Sequence, residues 1–475
     1  MNKKTNMPKK PHPQPTVKKK AVTSESHRYD PAIWDMINPH AAGIDVHSEE
    51  MWVCVPADRT ERTVRKFGAY TNDLYAIADF LRTCRITSVA MESTGVYWIP
   101  LYQILEERGF TVCLTNARHL KSIAGRPKTD RLDCQWIQRL HSYGFLKTSF
   151  RPADEICRIR AIQRHRGTLI QEASRHILHM QKALDQMNLK LSKVLTDITG
   201  VSGMASIEHI VKGERNPKTL AAFRDHRCKR SEAEIANALT GDYRDEHLFV
   251  LAQALEGYRF VQTQRQACDR EIEARVTALD KQVDASQTPP LPRPQVSRSR
   301  RANTIQFVGD GHTLLYELFG TDVTAIPGLD VTNSFVLLSE LGADLQAWER
   351  GANFVSWLGL SPTAHSSAGR VKSTRTNTVK NRASQVFQLA AQSAGRSKTA
   401  LGAFYRRMKA RIGAPKALTA TARKIALIFY QMVTKREPYR EASEVAYTQQ
   451  QKDRVVTRLK RQAKHFGFVL TPQEA

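Results

Sequence analysis

Residues 42–47 read AGIDVH, residues 51–57 MWVCVPA and residues 63–69 TVRKFGA. Each is a short, strand-like apolar run, and polar turns separate them, so the three together predict a meander. Next along the chain, NDLYAIADFLRTC (72–84) spaces its apolar residues as a helix does, and ITSVAME (86–92) returns as a buried strand. YWIPLYQILEERG (97–109) predicts a helix ended by Gly109, and TVCLTN (111–116) the strand after it. TDRLDCQWIQRLHSYG (129–144) predicts another helix, with Thr129 as N-cap and Leu132, Trp136, Ile137 and Leu140 as its apolar stripe. Residues 39–150 thus read as an α/β domain built on a mixed sheet.

Two carboxylates end strand-like runs in this domain, Asp45 in AGIDVH and Glu92 in ITSVAME. Asp130 and Asp133, at i and i+3, share one face of the predicted helix. Four acids gathered at one point repel and become protonated unless a cation neutralises them. All-oxygen donors suit Mg²⁺, and two such ions about 4 Å apart can hold the attacking and leaving oxygens of a phosphoryl transfer. Singly, each acid has an ordinary use as a turn cap, a lysine partner or a helix N-terminal charge. Their conjunction points to phosphodiester chemistry on a compact sheet of the ribonuclease H type.

The charge of the 475-residue chain agrees. Its formal net charge is +26, which favours a polyanionic partner. From Gly351 to Ala475 there are 23 Lys and Arg against 5 Asp and Glu, and Gly351–Arg436 contains no acid at all. A solvated face is the ordinary reading of a charge run, but this one is long, acid-free and patterned as apolar helices, so it reads as nucleic-acid contact. Seven cysteines without C-x-x-C spacing read as reduced thiols of a cytosolic protein. No apolar run approaches 18 residues, so no membrane partner is expected.

Residues 1–38, with seven lysines in the first twenty, predict a disordered basic arm. Residues 151–285 predict long helices that bundle or form a coiled coil, with Ile156, Ile159, Ile162, Ile170, Ile177, Leu178 and Leu184 as the seam. Residues 286–310 hold a Pro/Arg-rich linker. Residues 311–440 predict a mainly α-helical domain in which TAIPGLDVTNSFVLLSELG forms a helix, a Gly-containing hairpin and a helix. Such a hairpin either offers N–H groups to a phosphate or simply packs. A polar Ser/Gly-rich loop follows, then a helix from near Asn381 and two more joined across Gly413-Ala414-Pro415. Residues 441–475 form a basic C-terminal helix and tail.

GIDVH, MESTGVYW and KTDRLDCQWI, in that order and spacing, resemble the three acidic motifs of the DEDD insertion-sequence transposases, the bridge-RNA-guided recombinases of the insertion-sequence one-ten family. WLGLSPTAHSSAGRVKSTRTNTVKNRASQVFQLAAQS is similar to that family's second domain, and looks closest to its eleven-eleven branch. The resemblance covers most of residues 39–440. It implies a RuvC-like catalytic domain, Mg²⁺ held by Asp45, Glu92, Asp130 and Asp133, and a serine nucleophile in the C-terminal domain. That serine falls in Ser366-Ser367-Ala368-Gly369-Arg370, where Ala368 replaces the family's first glycine; Ser367 is the first choice and Ser366 the fallback. Arg370, Lys372, Arg375, Lys380 and Arg382 follow as phosphate contacts. The resemblance further implies donor and target DNA, a guide RNA, dimers assembling to a tetramer with composite sites, and a cytoplasmic, nucleoid-associated enzyme. Two other readings stay open: a hydrolytic, Mg-dependent nuclease of the junction-resolvase type with Ser367 structural, and a non-catalytic nucleic-acid-binding protein.

Overall fold

The structure, a computed structural model, describes residues 36–116, 129–284, 291, 303–363, 365–367, 370–373, 375–377, 379, 381–440 and 443–471. The expected basic arm and Pro/Arg-rich linker lie largely outside the described residues, and Lys380 lies wholly outside them. The chain divides into two units, Met1–Phe150 and Arg151–Ala475.

In the first unit β1 (Ala41–Val46), β2 (Glu50–Cys54) and β3 (Val64–Gly68) form the antiparallel meander. α1 (Thr71–Thr83) leads to β4 (Ser88–Glu92), and α2 (Trp98–Glu107) to β5 (Thr111–Thr115). β4 pairs parallel with β1 and β5 parallel with β4, giving the order β3-β2-β1-β4-β5. This is the mixed α/β sheet expected from the sequence.

Strand side chains alternate between faces. Ala42, Ile44 and Val46 of β1 and Val89 and Met91 of β4 join Leu74, Ile77, Leu81, Leu101 and Leu105 of α1 and α2 in one core. The alternate positions, Gly43 and Asp45 on β1 with Ala90 and Glu92 on β4, belong to the other face. There α3 (Asp130–Ser142) packs, burying Ile137 and Leu140 with Ala90 and Cys113. Thr129 caps it as expected, its Oγ1 accepting from the Leu132 N–H at 3.3 Å. The predicted stripe needs one correction: Leu132 is 38% exposed, and Cys134, Gln138 and His141 are buried instead. Polar groups can take these places because partners meet them. Gln138 donates to the Ala41 carbonyl and Ser142 Oγ, and the His141 ring pairs with Ser88 Oγ at 2.7 Å.

The second unit begins with α4 (Asp154–Gln186). α5 (Leu191–Val194), α6 (Val201–Val211), α7 (Pro217–Ala222) and α8 (Glu232–Ala238) enclose a core that includes Leu189, Leu195, Ile207, Ile210 and Leu220. α9 (Asp245–Thr277) then returns antiparallel along α4, so that Arg166 meets Asp269 and His176 lies over Gly257. The seam departs from the apolar periodicity. Ile156, Ile159 and Leu184 are buried, but Leu178 is 62% exposed, while Gln163, Arg166 and Ala173 turn inward. Asp269 neutralises Arg166, whose guanidinium also donates to the Asn303 carbonyl at 3.2 Å. A paired arginine thereby occupies positions that pattern alone assigns to leucine or isoleucine.

The remainder comprises α10 (Gly311–Phe319), a 3₁₀ turn (Val323–Ala325), α11 (Val331–Leu341), α12 (Gly351–Trp357), β6 (His365–Ser367), β7 (Arg370–Ser373), α13 (Arg382–Ala394), α14 (Ala400–Ile412), α15 (Ala414–Lys435) and α16 (Glu444–His465). Arg164 grips Glu340 with both ends of its fork, at 2.9 and 2.8 Å, tying α4 to α11. The first expected helix of the TAIPGLD segment is only the 3₁₀ turn. Gly328 of its hairpin has φ +96°, and a Cβ there would lie 2.2 Å from the Ala390 carbonyl oxygen. Close packing on α13 therefore accounts for that glycine, which favours the packing reading over phosphate binding. The expected polar loop around Ser367 is in part an antiparallel hairpin, β6 against β7. No disulfide links the seven cysteines, and no described helix is long and apolar enough to cross a membrane.

Candidate active site

Ile44 pairs with Met91 across the parallel β1–β4 ladder, so the next residues, Asp45 and Glu92, end neighbouring strands side by side. Both belong to the face that α3 covers. The helix comes close because position 43 has no side chain: a Cβ there would fall 2.2 Å from the Gln138 backbone nitrogen and 2.5 Å from the Cys134 carbonyl oxygen. Helix backbone cannot yield as a flexible side chain can. Gly43→Ala is accordingly expected to push α3 off the sheet and cost about 1–3 kcal/mol, or more. A lower urea midpoint would register this, and an unchanged midpoint would refute the close-packing explanation.

The first turn of α3 carries Asp130 and Asp133, where the helix dipole favours anions. Asp45 has a side chain only 11% exposed, with one oxygen 3.1 Å from His47 Nε2, and the same nitrogen lies 3.5 Å from Asp130 Oδ1. Ligand atoms of Asp45, His47 and Asp130 all lie within 4.8 Å of one another. Burial pushes the Asp45 carboxyl above its ordinary range; His47 opposes this, and the charges of Asp133 and Glu92 push the same way as burial. Glu92 also accepts a hydrogen bond from Thr94 Oγ1. Of the four acids singled out from sequence, Asp45 and Asp130 come to ligand distance of one another together with His47, while Asp133 and Glu92 act on Asp45 through their charges and lie outside that group.

His47 is the site residue that sequence reasoning missed. Its signal was present in the Asp45-x-His47 spacing, since i and i+2 share a face of an extended chain. The donor set, carboxylate oxygens with one imidazole, fits a divalent cation. A carboxylate that resists ionisation in a cluster of acids is the electrostatic counterpart of that fit, because a cation would remove the repulsion. Asp45 is harder to ionise folded than unfolded. Its contribution to stability is therefore present below its unfolded pKa and lost as pH rises through its folded pKa. Mg²⁺ or Mn²⁺ is expected to raise Tm near neutral pH and to do so less in the acid range where Asp45 is protonated. Equal shifts at both pH values would contradict the site.

Ser367 lies in the second unit. It pairs with Arg370 at the end of the β6–β7 hairpin, and Ser366 pairs with Val371, with a register irregularity between His365 and Ser366. Lys372 lies in β7. Arg375 is exposed, and its carbonyl accepts from the Thr363 N–H at 3.0 Å. Arg382, also exposed, opens α13 just after the Asn381 cap, and its guanidinium lies near Gly167 of α4.

Comparison with known families places two matches on these segments. A family model of the IS110 DEDD type, described as Transposase, matches residues 42–189, which hold all four acids and His47. A second, described as Transposase IS116/IS110/IS902 family, matches residues 321–406, which hold Ser367. No curated protein matches the chain.

Proposed function

We propose, for a chain that belongs to the IS116/IS110/IS902 family of transposases, that it cuts and rejoins DNA through a covalent phosphoserine and finds its sites with a guide RNA. The cluster of Asp45, His47 and Asp130 at the end of one sheet face, with the charges of Glu92 and Asp133 acting on Asp45, supports the phosphodiester reading. A divalent cation bound there would supply charge neutralisation for the phosphate and for the oxygens at the reacting phosphorus.

In the proposed reaction Ser367 Oγ attacks phosphorus and the bond to the 3′ oxygen breaks. The serine proton leaves to base, and the departing 3′ oxygen gains one. The product is a 5′-phosphoseryl protein and a free 3′ hydroxyl. A 3′ hydroxyl from another strand then attacks the same phosphorus, restoring the serine and forming a new phosphodiester. One phosphodiester is exchanged for another, so joining needs no ATP. Asp45, Glu92, Asp130 and Asp133 would hold the cation, with His47, which is hydrogen-bonded to Asp45 here, as a further donor to it, and Arg370, Lys372, Arg375, Lys380 and Arg382 hold backbone phosphates.

The acids alone would serve a hydrolytic nuclease equally well. Joined products formed without ATP are expected, whereas cut ends alone would favour hydrolysis. Target choice is assigned to base pairing with the guide, as in other RNA-guided systems, within dimers that assemble to a tetramer. Sequencing RNA that copurifies with the protein is expected to return one discrete structured species from DNA flanking the gene. A random sample of cellular RNA would sink the guide.

A further inference from the structure

Three helices of the second unit meet around an unusual concentration of positive charge. Lys424 of α15 lies between two aromatic rings, its Nζ 4.8 Å from the Phe404 centroid on α14 and 5.3 Å from the Tyr447 centroid on α16. Arg407, one turn along from Phe404, addresses the same two rings at 5.8 and 5.7 Å. It also donates to Gln451 Oε1 at 2.9 Å. Arg454 lies two turns along α16 from Tyr447, on the same face, and its charge and that of Arg407, after burial, lower the pKa of Lys424.

Among the described residues the cluster lacks an anion. Gly351–Arg436 contains no acid. Of the α16 carboxylates, Glu444 pairs with Arg406, while Asp453 accepts from Gln449 and, through its carbonyl, from Thr457. Among the described residues no carboxylate pairs with Lys424, Arg407 or Arg454. A second observation is independent of charge: the Tyr447 hydroxyl is buried without a hydrogen-bond partner, although its ring sits within the cluster. Aromatic faces soften the cost of holding cations together, but they do not neutralise them or satisfy a phenol hydroxyl.

We propose that Lys424, Arg407, Arg454 and the Tyr447 hydroxyl form a phosphate-binding site that seats a nucleic-acid backbone across α14, α15 and α16. Three cations and one hydroxyl donor match the oxygens of a phosphodiester. Apart from Phe404, these residues lie beyond the segment that the second family match covers. The partner class rests on the reading that this protein works on nucleic acid, and duplex DNA and structured RNA share the chemistry.

The test is equilibrium binding of fluorescein-labelled duplex DNA and of an RNA hairpin to the full-length protein across a salt series. Arg407→Gln, Arg454→Gln and Lys424→Met are each expected to reduce the slope of log K against log[salt] by about 1. Tyr447→Phe is expected to weaken binding severalfold without changing the slope. A change confined to one nucleic acid identifies that one as the source of the phosphate. Lys424→Met should also hold or raise Tm, because it removes a desolvated cation and keeps the apolar stem. Wild-type slopes and affinities in all four variants would overturn the site, as would a lower Tm in Lys424→Met with unaltered binding, which would mark a merely structural stack. Ser367→Ala should bind with the wild-type slope, so failure of the cleavage chemistry and failure of this site are separable.

Discussion

Asp45→Asn is expected to reduce DNA strand cleavage by about 10³-fold or more, while the protein stays folded and melts at a higher temperature in metal-free buffer. In the proposed reaction the activity loss follows from removing the most buried of the carboxylates that would hold the cation. A catalytic metal supplies several kcal/mol of charge stabilisation, and each 1.36 kcal/mol is a factor of ten in rate. The stability change has the opposite sign because the substitution removes a charge that burial and two neighbouring acids disfavour, while the amide keeps the shape. It should also abolish the rise in Tm on adding Mg²⁺ or Mn²⁺. Lower Tm with retained cleavage would show that Asp45 is an ordinary structural acid. Asp133→Asn should lose activity similarly.

Ser367→Ala is expected to abolish both strand exchange and the protein–DNA adduct, while keeping the wild-type rise in Tm on metal addition. Its role in the proposed chemistry is a bond, so no partial activity should survive through that route. A hydrolytic nuclease would behave differently: water replaces the serine, and cleavage continues in the variant. Ser366→Ala provides the internal comparison. If that change, and not Ser367→Ala, removes the adduct, the nucleophile is one residue earlier and the rest of the reaction stands.

The mixed sheet was legible because its strands are short, apolar and separated by turns, and because Thr129 signals the start of α3. The shared face of Asp45 and Glu92, and that of Asp130 and Asp133, was legible for a related reason, since the period of each element determines where its residues point. His47 escaped because a lone histidine after a strand has many uses, and only its distances to Asp45 and Asp130 single it out. Gly43 was visible as a letter but not as a requirement; the helix that needs its missing Cβ lies some ninety residues later. The α4 seam departs from apolar periodicity at Arg166, which becomes buriable only through Asp269, far along the chain. The cluster around Lys424 gathers residues from three helices, and no local spacing announces it.

The most direct measurement is to react the full-length protein with labelled DNA in Mg²⁺, denature it, digest it and identify the modified peptide by mass spectrometry. The expected result is a nucleotide joined through its 5′ phosphate to Ser367, with an equal amount of free 3′ hydroxyl on the other fragment. Efficient cleavage that leaves 5′ phosphates on free DNA, with no modified serine, would contradict the covalent mechanism and leave a metal-dependent hydrolase.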